Sequence, residues 1–89
     1  MTPGSPQEVR RFVVGHLAEQ LRLQGRSLPQ QLSDDYDLML SGLIDSLDLL
    51  DLLSAISERF GDDIDFEDLD PDELTVLGPL CRYVSEAAA

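Results

Sequence analysis

Residues 45–61 read DSLDLLDLLSAISERFG, and this stretch predicts the central helix of the protein. Apolar side chains recur along it at helical spacing, at Leu47, Leu50, Leu53, Ile56 and Phe60. Another face of the same helix carries Asp48, Asp51, Ala55 and Glu58. Asp45 or Ser46 can cap the start of the helix, and Gly61 can end it. The stretch therefore predicts an amphipathic helix with an acidic face.

The apolar surface of this region is wider than the single stripe that packing on one core requires. Four further apolar residues add to it, namely Leu43, Ile44, Leu49 and Leu52. We expect part of this surface to remain available for a partner.

A first helix is predicted over about residues 6–24. Ser5 and Glu8 form a capping box around Pro6, which suits the first helical position, and Gly25 is a natural end. One apolar face follows from Val9, Phe12, Val13, Leu17 and Leu21.

The remaining segments complete an all-α prediction. Residues 26–44 lose the helical period and predict a long loop, whereas Pro71 to Leu74 predicts a short acidic helix or turn. A last helix is predicted from about Thr75 to Glu86, with Leu77, Leu80, Tyr83 and Val84 facing inward. Seventeen Leu against eight Val plus Ile also favour helices. We predict one domain over residues 1–89, with a core of about 5–86, folded as a small four-helix bundle of three main helices and one short helix.

The charge distribution excludes some classes of partner. The net charge is −12, and residues 34–73 hold fifteen of the eighteen acids but one Arg. Such a chain repels phosphate backbones and anionic lipids, so we expect no nucleic-acid or membrane binding, a monomer, and partners with basic surfaces. The sequence shows no apolar run of membrane-spanning length and no secretory signal, and its single Cys81 suits a reducing compartment. We therefore expect the cytoplasm.

A serine at the junction of the loop and the central helix is the strongest candidate for chemistry. The segment 42–48 reads GLIDSLD, which puts the hydroxyl of Ser46 at a helix N-terminus. Unpaired amides and the positive end of the helix dipole would stabilise a phosphate ester there. Alternatively, Ser46 or Asp45 is simply the helix cap.

A set of residues spread over most of the chain follows one pattern: Asp37-Leu38, SGLIDSL at 41–47, Leu50, Leu53, ERFG at 58–61, Ile64 and Tyr83-Val84. In this pattern, and in its length, acidity and long first loop, the chain resembles the acyl carrier protein and peptidyl carrier protein family. It departs from many relatives at Met39 and Leu40, where they have an aromatic residue and an acid.

The resemblance implies a covalent 4′-phosphopantetheine on Ser46, transferred from coenzyme A by a phosphopantetheinyl transferase that uses Mg²⁺. The thiol of this arm would hold an acyl or aminoacyl group as a thioester. Asp45 matches the acid before the family's serine. Further implied partners are a loading enzyme, either an adenylation enzyme or an acyltransferase, and condensing or tailoring enzymes. The run Leu-Ile-Asp-Ser-Leu resembles carriers of polyketide and nonribosomal peptide pathways more than those of housekeeping fatty-acid synthesis.

The resemblance also places partner contacts on the central helix. Asp48, Asp51 and Glu58 would meet basic residues of partner enzymes, and Leu47 and Leu50 would offer apolar contact beside the arm. Each of these acids could instead belong to a solvated helix face.

Other functions are less well supported by the residues. A serine hydrolase needs a base near Ser46, but the only histidine, His16, lies in the first helix, and we interpret it as an ordinary surface residue. Residues 62–73 are acidic but lack the glycine and glutamate positions of a calcium-binding EF-hand loop, so no metal site is assigned. Cys81 is interpreted as a small buried apolar residue. We expect that the protein is not an enzyme. The main alternative is an acidic helical interaction module that is never modified, and a second alternative is a protein that binds divalent cations loosely through the clustered carboxylates of residues 62–73.

Overall fold

The computed structural model describes residues 5–61 and 64–88, and it confirms the all-α prediction. Helix α1 spans Pro6–Leu23, α2 spans Ser46–Phe60, α3 spans Pro71–Leu74 and α4 spans Leu77–Ala88. A 3₁₀ helix, Phe66–Asp68, precedes α3. Within the described residues the only extended pairing is an isolated antiparallel bridge between Asp37 and Val76.

Helix α1 begins and ends where its sequence predicts. The hydroxyl of Ser5 accepts a hydrogen bond from the Glu8 amide at 3.2 Å, and Pro6 occupies the first helical position. Gly25 follows the helix with φ of +74°, a backbone conformation that glycine adopts without a steric penalty. The predicted apolar face is confirmed, because Val9, Val13, Leu17 and Leu21 are fully buried and Phe12 packs on the core.

The core lies where α1 packs on α4 and α2. Side chains from every main helix and from the long loop are fully buried in it: Val9, Val13, Leu17, Leu21, Leu38, Leu52, Ile56, Leu77, Leu80 and Val84. Tyr83 is half-buried at its edge, and its hydroxyl donates to the carbonyl of Asp65. No helix in the described part of the chain combines the length and hydropathy that would be needed to cross a membrane.

Helix α2 faces the core with a different set of leucines from the predicted one. Leu49 and Leu52 are buried, whereas Leu47 and Leu50 are 74% and 60% exposed. The leucine pairs at 49–50 and 52–53 create two overlapping stripes, and the stripe through Leu49 and Leu52 continues to the fully buried Ile56. Leu43, Ile44, Leu49 and Leu52 are all buried, so the part of the apolar surface that remains available, as expected, is that of the exposed Leu47 and Leu50.

The long loop is attached to the start of α4 by backbone hydrogen bonds. The Leu38 amide donates to the carbonyl of Thr75 at 2.8 Å, and the Leu77 amide donates to the carbonyl of Tyr36 at 3.0 Å. Thr75 ends α3 with a helical backbone and Val76 forms the bridge with Asp37, so α4 begins at Leu77 and not at Thr75 as predicted. The side chain of Leu38 is fully buried, which anchors the middle of the loop in the core.

The loop also approaches the first turn of α4 very closely at Gly78. The Gly78 amide donates to the carbonyl of Asp34 at 2.7 Å. A Cβ atom at position 78 would lie 2.6 Å from the Asp34 Cβ and 2.8 Å from its carbonyl oxygen. Only a residue without a side chain allows this contact.

Part of the acidic segment 62–73 serves as helix caps. Asp65 accepts from the Glu67 amide and caps the 3₁₀ helix, and Asp70 accepts from the Asp72 amide and caps α3, each at 3.0 Å. No group of three or more potential metal-ligating side chains is found among residues 5–61 and 64–88. Two acids of the sequence segment, Asp62 and Asp63, lie outside the described residues.

We predict that Gly78→Ala destabilises the protein strongly, because the loop backbone at Asp34 must move away from α4 to admit the methyl group. The matched control is Gly15→Ala in α1, where a new Cβ meets nothing within 4 Å. The control should gain up to about 1 kcal/mol from helix propensity. Urea unfolding of both variants measures this difference, and equal stabilities for Gly78→Ala and the wild type would contradict the close contact.

A second prediction concerns Asp37, which closes the turn after the bridge. Its Oδ1 accepts from the Leu40 amide at 2.9 Å and from the Met39 amide at 3.0 Å. The hydrogen bond from Leu40 is the main cause that lowers the pKa of Asp37, and partial desolvation opposes it. A lowered folded-state pKa contributes stability above the unfolded pKa of about 3.9, and this stability is lost as the pH falls through the folded pKa.

We therefore expect the stability of Asp37→Asn to depend less on pH in the acid range than that of the wild type. The free energy of unfolding should fall less steeply for the variant than for the wild type from pH 5 downward. Urea unfolding at a series of pH values measures both slopes. The exposed Glu86 in α4 provides a control, and Glu86→Gln should keep the wild-type slope. Identical slopes for Asp37→Asn and the wild type would show that the turn does not depend on the carboxylate.

Candidate functional site

A tight turn directly precedes the start of α2. Gly42 has φ of +80°, and its amide donates to the Met39 carbonyl at 3.0 Å. The Ile44 amide then donates to the Leu38 carbonyl at 3.0 Å. The side chains of Leu43 and Ile44 are buried, so the turn is held to the core immediately before the polar residues that follow.

Asp45, and not Ser46, caps helix α2. Asp45 has an extended backbone, and its Oδ1 accepts from the Asp48 amide at 2.8 Å. Its carbonyl accepts the first intrahelical hydrogen bond, from the Leu49 amide at 3.0 Å. The sequence leaves the choice between Asp45 and Ser46 open, and the structure decides it. Ser46 is therefore the first residue of the helix, with an exposed side chain that has no capping role.

The start of α2 is a favourable place for a negatively charged group. The amides of Ser46 and Leu47 precede the first intrahelical hydrogen bond, so they are not used within the helix. The helix dipole adds positive potential at the same end, worth about 0.3–1 kcal/mol for an exposed anion. A phosphate ester on Ser46 would therefore lie close to both the unpaired amides and the positive end of the helix dipole.

The side chains proposed for partner contact divide into two groups. Leu47 and Leu50 are exposed, and Leu50 lines a shallow groove with Glu58 and Phe66. Asp48 and Asp51 instead border α1. Glu58 therefore borders the apolar groove, and Asp48 and Asp51 contact side chains next to α2 from α1 and its C-terminal end.

Two α1 side chains, and Gln24 directly after α1, contact the two acids that border α1. His16 Nε2 lies 3.0 Å from Asp51 Oδ2, and the Gln20 amide donates to the same oxygen at 3.1 Å. Gln24 Nε2 lies 3.2 Å from both carboxylate oxygens of Asp48. The interpretation of His16 as an ordinary surface residue is wrong, because His16 links α1 to α2. The spacing of residues 16, 20 and 24, one helical turn apart beside the apolar face, could have indicated a shared polar contact.

These contacts change the acidity of Asp51. The hydrogen bond from His16 is the largest cause that lowers the pKa of Asp51, and the hydrogen bond from Gln20 adds to it. Asp51 is therefore ionised down to lower pH than an ordinary aspartate.

Cys81 is the only thiol of the chain, and the structure confirms that it is buried. Its exposed fraction is 4%, and burial raises its pKa to about 11. It lines a small cavity with Arg10 and Asp34, which form an ion pair at 2.5 Å. Cys81 is thus an inert core residue.

Comparison with known proteins agrees with the geometry at the start of α2. A family model described as the phosphopantetheine attachment site matches residues 11–84. The chain belongs to this family. It is a carrier protein, and its cofactor is covalently bound 4′-phosphopantetheine. Carrier domains of this kind interact with partner enzymes such as transferases and synthetases. No curated protein and no solved structure gives a significant match.

The residues at the start of α2 fit the phosphate end of the carrier's cofactor. Asp45 satisfies the helix cap, so Ser46 is exposed and can accept a substituent without losing a structural hydrogen bond. The buried thiol of Cys81 lies in α4 and is separate from this site.

We predict that Asp45→Ala in the carrier lowers the free energy of unfolding by about 0.5–2 kcal/mol, because the Asp48 amide loses its capping acceptor. Asp45→Asn is the control, since asparagine caps helices about as well as aspartate. Thermal unfolding followed by circular dichroism measures both. Equal losses for Ala and Asn would mean that the carboxylate acts by its charge and not as a cap.

Proposed function

We propose that this carrier holds an acyl or aminoacyl group as a thioester on a 4′-phosphopantetheine arm attached to Ser46. It presents this group to partner enzymes of a polyketide or nonribosomal peptide type of pathway in the cytoplasm. One observation supports the assignment of Ser46 above all: Asp45 caps the helix, which leaves an exposed serine as its first residue.

The attachment step is a phosphoryl transfer to the serine hydroxyl. A bond forms between Ser46 Oγ and the phosphorus that carries the pantetheine of coenzyme A. The pyrophosphate bond of coenzyme A breaks, adenosine 3′,5′-bisphosphate leaves, and the hydroxyl proton passes to a base of the phosphopantetheinyl transferase. No redox change occurs, and Mg²⁺ bound with the transferase would stabilise the charge on the phosphates.

In this proposal the carrier contributes position and no catalytic group. A phosphodiester on Ser46 would be directed outward from the first turn of α2, beside the free amides of that turn. Tethering raises the effective concentration of the cargo at a partner's active site, into the millimolar range for short flexible linkers. The chemical steps belong to the loading, condensing and tailoring enzymes.

Partner docking is proposed on the exposed part of α2. Leu47 and Leu50 offer apolar area next to the attachment point, and Asp48, Asp51 and Glu58 offer charge to basic surfaces. Complementary charge speeds and orients encounters more than it adds affinity. We therefore propose that salt weakens association with these enzymes mainly by slowing it.

We predict that Ser46→Ala abolishes attachment of the arm. The wild type and the variant are incubated with coenzyme A, Mg²⁺ and a broad-specificity phosphopantetheinyl transferase, and the intact masses are measured. The wild type should gain one phosphopantetheine and Ser46→Ala none. Because Ser46 is not the cap, the variant should keep the wild-type stability.

Ser54→Ala is the matched control, since Ser54 is another exposed serine of α2, and it should be modified like the wild type. Modification of Ser46→Ala would overturn the site assignment. If the wild type gains no mass while a control carrier does, the unmodified interaction module becomes the better account of the exposed leucines and acids on α2.

A further inference from the structure

A row of polar side chains joins α1 to the acidic side of α2. It consists of His16 and Gln20 from α1, Gln24 at the C-terminal end of α1, and Asp48 and Asp51 from α2, and we call it the α1–α2 seam. Gln20 lies at its centre, 8% exposed, and its amide donates to the Asp48 carbonyl at 2.9 Å as well as to Asp51. The seam therefore ties α1 to the same two acids that are proposed for partner contact.

The chemistry of the seam fixes where its protons lie. Both groups next to the Gln20 nitrogen are acceptors, so the amide must point its NH₂ at them. Its Oε1 is then buried with no hydrogen-bond partner among the described residues. An ionised carboxylate only accepts, so His16 must carry a proton on Nε2 to bond with Asp51. A second proton, on Nδ1, would turn this hydrogen bond into an ion pair.

Apart from Asp51, the charged side chains near His16 are paired with other residues. On α2 it faces Asp51 directly, with Asp48 one turn earlier and held by Gln24. On α1 the nearby Glu19 pairs with Arg22 at 2.5 Å.

The remaining neighbours of His16 are aromatic or engaged elsewhere. The Phe12 ring stacks on His16 with a centroid distance of 6.2 Å, and the Phe60 ring contacts Phe12 edge-on at 5.5 Å. Arg59 lies over the Phe60 ring at 5.1 Å. Nearer the N-terminus of α1, Arg10 pairs with Asp34 of the loop. Asp51 is therefore the one carboxylate that contacts His16 among the described residues.

We propose that His16 is a positioning residue that sets, through its protonation, how much negative charge Asp51 presents to basic partners. When the imidazole is neutral, Asp51 keeps its full charge for a partner's Arg or Lys. When the imidazole is protonated, its positive charge compensates Asp51 and holds it against α1, so association weakens. The inference rests on the proposed docking role of Asp51.

The first experiment tests the contact without any partner. The carboxyl carbon of Asp51 and the imidazole of His16 are followed by NMR from pH 3 to pH 9 in the full chain. The Asp51 signal should show its own acid titration and a second, smaller step that coincides with the His16 titration. In His16→Gln, where the glutamine can still donate to Asp51 but does not titrate, the second step should vanish. A wild-type Asp51 signal with no second step would overturn the inference.

The second experiment measures association. The kcat/KM of a phosphopantetheinyl transferase is determined for the wild type and for His16→Gln at pH 6 and pH 8. The pH dependence of the transferase itself cancels in the ratio of the two carriers. At pH 6 we expect the kcat/KM of the wild type to be about two- to fivefold lower than that of His16→Gln, because an exposed ion pair contributes an effect of this size. At pH 8 the two values should be equal.

The Asp51→Asn background provides the control for this ratio. Asp51→Asn alone and Asp51→Asn combined with His16→Gln should have the same kcat/KM at both pH values. If the arm is added but the ratio does not depend on pH, the inference is wrong while the carrier function stands. If no arm is added to any form, the proposed function fails, and the docking role of His16 fails with it, whatever the NMR titration shows.

Discussion

The burial of Leu38, together with the backbone pairing of residues 34–38 with residues 75–78, is the constraint on which the rest of the structure depends. A loop of about twenty residues loses much conformational entropy on ordering, and a few anchors must offset this cost. Leu38 supplies buried apolar area, and hydrogen bonds to the Thr75 carbonyl and from the Leu77 amide satisfy the backbone that this burial desolvates. The turn from Leu38 to Ile44 then fixes where α2 begins.

Two adjacent residues at that point have different tasks. Asp45 stabilises the helix by capping it, and Ser46, the proposed attachment point, is left exposed. A serine that served as both cap and attachment point would give up its structural hydrogen bond on modification. Since the cap lies one residue earlier, the proposed modification of Ser46 would cost α2 no structural hydrogen bond. This separation suits a protein that must exist in bare and loaded forms.

Local signals predict most of this fold from the sequence. Ser5, Pro6 and Gly25 mark the ends of α1, and Gly61 marks the end of α2, because caps and glycines act within one turn of the chain. The position of the candidate serine could be predicted for the same reason. The family match over residues 11–84 agrees with the resemblance that the sequence pattern indicates.

The incorrect predictions involve contacts between distant residues. Thr75 has a good sequence for a helix start, but the chain there pairs with a loop nearly forty residues earlier. Leu47 and Leu49 are equally apolar, and only the position of α1 and α4 decides which one is buried. His16 is thirty-five residues from Asp51, so no local pattern reveals its partner.

The burial of Cys81, in contrast, follows from its place in α4. Burial raises the pKa of its thiol to about 11, so the thiol stays protonated at neutral pH. A carrier with a reactive cysteine could transfer its cargo to itself by thioester exchange. The unreactive thiol of Cys81 leaves the end of the arm as the one sulfur on which the cargo can reside.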